Sequence, residues 1–140
     1  MCTARKGTSM AVVLAGFPDA ELVMMDLLTP VGATVTATDE NLVPPVVQVQ
    51  RVGGADDGVT DRPRVQVVCF GASRPAAWAL AEQARQIVLA AGGTAVTGAN
   101  VTNVFLDSTR TETPSVQLPD PNRDVRAVTA VYRLSYRRPR

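Results

Sequence analysis

The chain has 140 residues, the size of one ordinary domain, and its 14 basic and 13 acidic residues give a formal net charge of +1. This balance argues against a broad nucleic-acid or anionic-membrane surface, so any functional charge must lie in local patches. Histidine is absent, and with it the commonest general base and the commonest metal ligand, which disfavours an enzyme or a metal site.

The start of the chain predicts a flexible segment followed by one domain. Residues 1–9 are small and polar, so we expect them to be flexible, with a single domain over residues 10–140. The apolar stretch at residues 10–17 is too short to span a bilayer, and Pro18 and Asp19 end it. We therefore expect no export and no membrane contact.

The first half of the domain predicts an interrupted helix and two strands. Apolar residues recur at helical spacing over residues 10–28, with a break just before Asp19, which is suited to cap a second helical piece. Residues 33–38 alternate small or apolar residues with threonine and predict a short strand. Residues 46–52 have strong strand propensity and follow two prolines, which belong at a strand's unpaired end.

Residues 53–63 are rich in glycine and aspartate and predict a long hairpin loop. Asp56, Asp57 and Asp61 faintly resemble an acidic calcium loop, but the bidentate glutamate and the regular alternation of oxygen ligands are missing. We therefore expect a solvated or partner-facing loop with no metal.

Residues 64–91 are the segment around which the chain is organised. Residues 65–70 form a nearly continuous apolar run, which predicts a strand covered on both faces. Ser73 is placed to cap the helix that follows, and Pro75 is tolerated in its first turn. The apolar residues of this helix form one stripe, namely Ala77, Leu80, Ala81, Ala84, Ile87, Val88 and Ala91. The next two glycines supply the left-handed residue that commonly ends a helix.

The last part of the chain predicts two strands separated by a long loop. The first strand covers about residues 101–107 and could extend to 113, and the three prolines of residues 114–124 indicate an excursion over the surface. The final strand is the clearest, because its alternate apolar residues include Tyr132 and Tyr136. Both tyrosines are expected in the core, although aromatic residues on a sheet could also stack on bases.

The order of helix, three strands, helix and two strands predicts an α+β fold. We expect a mainly antiparallel sheet of four to five strands, flanked by the two helices.

Catalytic signatures are lacking. There is no phosphate-binding loop and no nucleophile elbow, and Cys69 lies in a predicted buried strand. We expect it and Cys2 to be free thiols in a reducing compartment. Acid and base catalysis would need a carboxylate pair such as Asp56 with Asp61, or Asp120 with Asp124, but both pairs lie in predicted loops that are too exposed to shift a pKa usefully. We therefore expect neither enzyme activity nor a cofactor.

Five segments in a set order carry a resemblance to a known family. They are LLTPVGATVTA, LVPPVVQVQRVGG, DDGVTDRPRVQVVCFG, RPAAWALAEQARQIVLAA and PDPNRDVRAVTAVYRLSYRR. Their order and spacing over residues 17–138 resemble those of the tail terminator, or tail-completion, proteins of long-tailed phages, in particular phages that infect actinobacteria.

The resemblance implies a structural protein of the virion, assembled in the host cytoplasm. Proteins of this family form a hexameric ring that caps the head-proximal end of the tail tube. The ring stops polymerisation of the major tail protein and meets the head connector, and DNA passes through its lumen without specific binding. The family fold, a small sheet flanked by helices, agrees with the fold expected from the residue patterns.

The resemblance also indicates candidate interface residues. Asp56, Asp57, Asp61 and Arg62 match the family's acidic loop and the arginine before its third strand. An acidic loop could instead face the lumen, where it would repel phosphate mildly. Residues 114–124 are a second candidate for contacts with a neighbour or with the tube.

Two other readings remain open. A small nucleic-acid-binding module would use Arg133, Arg137, Arg138 and Arg140 of the last strand and the tail, and its binding would depend steeply on salt. A carboxylate-dependent enzyme would need an enclosed pocket with at least two acids.

Overall fold

The computed structural model describes residues 16–37, 43–119 and 125–137. The elements of these residues, in chain order, are α1 (Ala20–Leu28), β1 (Ala33–Val35), β2 (Val46–Asp56), β3 (Thr60–Gly71), α2 (Arg74–Ala90), β4 (Ala95–Val96), β5 (Val104–Leu118) and β6 (Arg126–Arg137). The strands form one sheet in the order β1-β2-β3-β6-β5-β4, in which only β1 and β2 pair in parallel among the described strands. The predicted flexible segment 1–9 lies outside the described residues.

The predicted α+β fold with a mainly antiparallel sheet is confirmed, but the expected strand number is wrong. Six strands are present in the described part of the chain, where four to five were expected. The additional strand, β4, has only two residues, and two residues are too few to show the alternation that identifies a strand.

Both helices begin at the predicted capping residues. The Asp19 carboxylate accepts a hydrogen bond of 2.9 Å from the Glu21 amide at the start of α1. The Ser73 hydroxyl accepts one of 3.3 Å from the Ala76 amide at the start of α2. Gly93 has a φ of +79° just after α2, as expected for a left-handed residue at a helix end. The helical pattern predicted before residue 16 lies outside the described residues.

One hydrophobic core joins both helices to the same face of the sheet. The buried members of the predicted α2 stripe all belong to this core, and Leu80 and Ile87 pack against it while partly exposed. The sheet contributes buried residues that alternate along β2, β3 and β6, namely Val47, Val49, Val65, Val67, Cys69, Val128, Ala130, Tyr132, Leu134 and Tyr136. The prediction that helices flank the sheet is therefore refined, since α1 and α2 share one face.

The other face of the sheet has only a small apolar cluster. Val68 and Phe70 of β3 pack there with Val125 and Ala127. The prediction that residues 65–70 are covered on both faces holds for the end of β3, although no helix of the described chain forms the second cover.

The two tyrosines of β6 are confirmed as core residues. Tyr132 and Tyr136 are fully buried on the helix-covered face. The Tyr136 hydroxyl donates a hydrogen bond of 2.9 Å to the Pro18 carbonyl and so anchors the chain just before α1. Neither ring is exposed for stacking on a nucleic-acid base.

The prediction of a long loop over residues 53–63 is wrong. The strands β2 and β3 stay paired as far as Asp56 opposite Asp61, which leaves residues 57–59 as the turn. A β-bulge lies between Arg51 and Gly53, and Gly53 and Gly54 adopt positive φ beside it. The glycines therefore mark a distorted strand and not a loop.

The prediction of a surface excursion that starts at residue 114 is also wrong, because β5 continues to Leu118. Pro114 is compatible with this strand because most of β5 lies at the sheet edge. At an edge, the missing amide hydrogen of proline does not break a hydrogen bond to a neighbouring strand. Residues 120–124 lie outside the described residues.

Candidate interface surfaces

The turn between β2 and β3 is shaped by its own acidic side chains. The Asp57 carboxylate accepts hydrogen bonds from the amides of Val59 at 2.9 Å and Thr60 at 2.8 Å, and the Asp56 carboxylate accepts one of 3.0 Å from Gly58. Such bonds satisfy the turn's amides and hold it in one conformation. We call residues 56–60 the hairpin tip.

The hairpin tip presents both negative charge and an apolar side chain. The amides of Thr60 and Val59 lower the pKa of Asp57, and the guanidinium of Arg62, 3.6 Å away, adds to this effect. Asp57 is therefore ionised at neutral pH. Val59 lies beside it with 61% of its surface exposed.

Asp61 is placed differently from the other predicted interface residues. It is 2% exposed, and no other charged side chain among the described residues is buried. Arg51 donates two hydrogen bonds of 2.9 Å to its carboxylate, and this pairing raises the pKa of Arg51. The amide of Arg51 in turn donates a bond of 3.0 Å to Glu21 of α1. Arg51 thus binds Asp61 within the hairpin and links the hairpin to the first helix.

The structure therefore brings three of the four predicted interface residues to the surface. Asp56, Asp57 and Arg62 are exposed, whereas Asp61 faces the helices. Alternation along β3 causes the difference, because Asp61 shares a face with Val65. The two-residue period, carried back along β3 from its apolar core residues, was the signal that could have identified this burial.

Arginines of three adjacent strands gather on the face of the sheet that the helices leave open. We call this surface the arginine face, and its arginines are Arg62, Arg64, Arg110, Arg133 and Arg137. Arg133 of β6 lies opposite Arg64 of β3 on one side and opposite Arg110 of β5 on the other. Like charges directly opposite each other are unfavourable unless anions lie between them.

Carboxylates of the chain neutralise part of the arginine face. Glu112 lies 2.9 Å from Arg133, and Asp107 lies 3.7 Å from Arg137. An open cavity of about 220 Å³ remains between Arg62, Ser108, Arg110, Arg133 and Ser135. Sequence reasoning identified Arg133 and Arg137 but did not connect them with Arg64 and Arg110, and Arg138 and Arg140 lie outside the described residues.

A second surface is an apolar groove at the other end of β2 and β3. We call it the apolar groove, and it has a volume of about 400 Å³. The described residues that line it are Pro44, Pro45, Gly71, Ala72, Ala76, Ala79, Leu80 and Gln83. Sequence reasoning missed it, because small residues on a helix give no signal that distinguishes a groove from a close helix contact.

The side chains considered for catalysis are poorly suited to it in the described part of the chain. Burial raises the pKa of Cys69 to about 12, so its thiol is a poor nucleophile. An open depression of about 490 Å³ contains Asp56 and Asp61, but Arg51 also lines it and binds Asp61. Asp120 and Asp124 lie outside the described residues. Within the described ranges, no group of three or more acidic or cysteine side chains could hold a metal ion.

Neither helix that the structure describes is both long enough and apolar enough to cross a lipid bilayer.

Comparisons with known proteins give a family match and similar solved structures. A family model described as "Phage tail termination protein" matches residues 16–140. A solved chain from "Virion of native gene transfer agent (GTA) particle" superposes with a TM-score of 0.49 at 14% sequence identity, over 85% of this chain and 86% of that chain. No curated protein matches the sequence.

Proposed function

Since the chain belongs to the phage tail termination protein family, which comprises structural components of the virion tail and not enzymes, we propose that it ends the growth of the tail tube. A ring of identical subunits caps the head-proximal end of the tube and stops addition of the major tail tube protein. The ring also forms the surface that joins the head-completion or connector protein. The family match over residues 16–140 is the observation that carries this proposal.

The proposed ring has six subunits with the DNA passing through its lumen. A closed ring needs a heterologous contact, in which two different surfaces of one subunit meet those of its two neighbours. The hairpin tip, the arginine face and the apolar groove supply such different surfaces. The formal net charge of +1 supports passage of DNA without specific binding.

In the proposed ring, the hairpin makes the contacts between subunits. Asp56, Asp57 and Arg62 are the exposed candidates for direct contact, and Asp61 supports them from inside by holding Arg51. An actinobacterial host is part of the proposal as well, since Lys6 is the single lysine among 14 basic residues, a usage typical of GC-rich genomes.

Deletion of the gene from the parent phage tests the function. Negative-stain electron microscopy of the lysate should show tails of uncontrolled length without attached heads. Supplying the gene from a plasmid should restore normal particles, and averaged images of the head-proximal tail end should show six-fold symmetry. Normal infectious particles from the deletion phage would refute the proposal.

The arginine face favours a second candidate function, a small nucleic-acid-binding module. Its three-strand row of Arg64, Arg133 and Arg110 could contact phosphates directly. Duplex-DNA binding would then weaken with salt by a log–log slope of about 0.9 for each neutralised phosphate. Fluorescence anisotropy of labelled DNA measures this slope.

Two variants separate specific contact from general attraction in that assay. Arg64→Gln should reduce the slope if the arginine face binds DNA, whereas Arg85→Gln, on the exposed side of α2, should leave it unchanged. If the protein does not bind DNA, or if its affinity does not change with salt concentration, the second candidate function is refuted.

A further inference from the structure

The hairpin tip and the apolar groove lie at opposite ends of the same two strands. Asp56 pairs with Asp61 at the tip end, and Val46 pairs with Phe70 at the groove end. Since β2 has 11 residues and a strand rises roughly 3.3 Å per residue, the two surfaces are about 33 Å apart. The tip of a subunit therefore cannot reach its own groove.

The hairpin tip has the shape and chemistry of an inserting element. Its turn is held by the Asp56 and Asp57 carboxylates, so Val59 is presented in a fixed position and not on a mobile loop. One exposed valine is ordinary on a protein surface. Beside the carboxylates of Asp56 and Asp57 at the end of a sheet, it gives the tip an apolar side chain next to negative charge.

The apolar groove is complementary to that tip. Its volume of about 400 Å³ exceeds that of a valine side chain, its lining is mostly alanine, proline and Leu80, and no charged residue occurs among its described lining residues. Ala72 and Ala76 place the groove beside the amino-terminal end of α2, which begins after Ser73. The helix dipole makes that end favourable for negative charge.

We infer that the hairpin tip of one subunit docks in the apolar groove of the next. Val59 packs on Ala76 and Ala79, and Asp56 and Asp57 lie near the first turn of α2. Each subunit gives its tip to one neighbour and receives the tip of the other, which is a heterologous contact that closes into a ring. The inference rests on the proposed ring and names its contact, which puts the tip carboxylates between subunits instead of in the lumen.

The arginine face is the competing acceptor for the two carboxylates. The described residues that line its cavity are arginines and serines, which offer no apolar surface to Val59. Asp57 is moreover already 3.6 Å from Arg62 of its own subunit. The apolar groove therefore accounts for both chemical features of the tip, and the arginine face for one.

Disulfide trapping in assembled virions tests the contact. The phage carries Val59→Cys together with Ala79→Cys in a Cys2→Ser background, where the remaining native thiol, Cys69, is buried. Mild oxidation should give a ladder of linked subunits up to the closed ring on a non-reducing gel. A bond within one subunit is excluded, because a disulfide needs Cα atoms within roughly 7 Å of each other.

Matched pairs define the outcomes of the trapping experiment. Val59→Cys with Arg85→Cys, on the exposed side of α2, should give no ladder. Val59→Cys with Arg110→Cys should also give none, and a ladder from this pair would assign the tip to the arginine face. Virions that contain the first pair at normal abundance but give no ladder would overturn the inference, while the ring function would stand. Absence of the wild-type protein from virions would instead count against the function.

A charge in the groove provides a second test. Ala79→Glu should weaken subunit association on the order of 100-fold, because the docked tip would bury an unpaired charge near its own carboxylates. Plasmid complementation of the deletion phage measures the loss of tail-length control. Ala79→Ser should complement normally, and the far-UV spectrum of both variants should match the wild type. Normal complementation by folded Ala79→Glu would contradict the docking.

Discussion

Asp61 and Asp26 are carboxylates that bind groups of other elements of the chain. Asp61 of β3 accepts two hydrogen bonds of 2.9 Å from Arg51 of β2. Asp26 of α1 accepts bonds from the amides of Asn100 at 3.0 Å and Val101 at 2.8 Å, and from the Asn100 side chain at 2.9 Å. Asp61 is buried, and a carboxylate removed from water needs such partners. Both residues therefore act within the subunit.

Replacing Asp61 by alanine should destabilise the subunit more than replacing Asp57. Asp61→Ala leaves the Arg51 guanidinium without its carboxylate, at a cost of about 2 kcal/mol, since Arg51 is 37% exposed and water compensates part of the loss. Asp57→Ala removes only exposed turn contacts and should cost much less. Urea unfolding followed by fluorescence of the single tryptophan measures both. Equal losses would contradict the structural role of Asp61.

Asp26 should make stability depend on pH in the acidic range. Desolvation acts to raise the pKa of Asp26, but hydrogen bonds from Val101 and Asn100 outweigh it, and the pKa is lowered. The resulting stabilisation is present above the unfolded pKa of about 3.9, and it is lost as the pH falls through the lowered folded pKa. The difference in melting temperature between wild type and Asp26→Asn should therefore shrink below about pH 4. A difference that stays constant from pH 7 to pH 3 would contradict this assignment.

The pairing of β2 with β3 depends on the glycine at position 54. Gly54 has a φ of +110°, and a Cβ there would collide with the backbone of Arg62 and Pro63 on the paired strand. The bulge at Arg51 and Gly53 shifts the register just before this point. A side chain at position 54 would therefore strain the backbone and separate the strands that present the hairpin tip.

Gly54→Ala should lower the free energy of unfolding by about 2 kcal/mol, because strain and close contact act together. Gly58→Ala is the matched control, since its φ of +86° is also strained but its Cβ would meet open space. We expect a smaller loss of about 1 kcal/mol for the control. Thermal unfolding followed by circular dichroism compares the two. A larger loss for Gly58→Ala would show that the hairpin does not need the close approach at position 54.

The whole molecule is built as one helix layer on one sheet face. A single core cluster includes residues of both helices and of β2, β3, β5 and β6. The opposite face has polar and arginine side chains around a small apolar cluster. This asymmetry leaves one face of the sheet open, while the core by itself holds the domain together.

Leu134→Ala should therefore destabilise the entire subunit and not one part of it. Leu134 is fully buried on β6 in the middle of the core, so its truncation should cost about 2–5 kcal/mol. Urea unfolding should be followed by far-UV circular dichroism and by fluorescence of Trp78, which packs against the core from α2. The two transitions should shift together, as one cooperative unit requires. Separate transitions would show that the helices and the sheet unfold independently.

The sequence by itself determined the α+β class, the starts of both helices and the buried face of β6. These features depend on residues close together in the chain, such as Ser73 and the Ala76 amide that it caps. The four candidate interface residues, Asp56, Asp57, Asp61 and Arg62, came instead from the family resemblance, and their role in an interface stays a prediction. The resemblance to tail terminators was confirmed at the level of the family.

Only the tertiary structure decided which surfaces these residues form. Arg64, Arg110 and Arg133 become one row because β6 lies between β3 and β5, and strand pairing over such sequence distances leaves no local signal. The pairing of Asp61 with Arg51 depends on the register of the hairpin, and the apolar groove depends on α2 lying beside the prolines before β2. Local patterns specify elements, whereas contacts between elements distant in the chain specify the site.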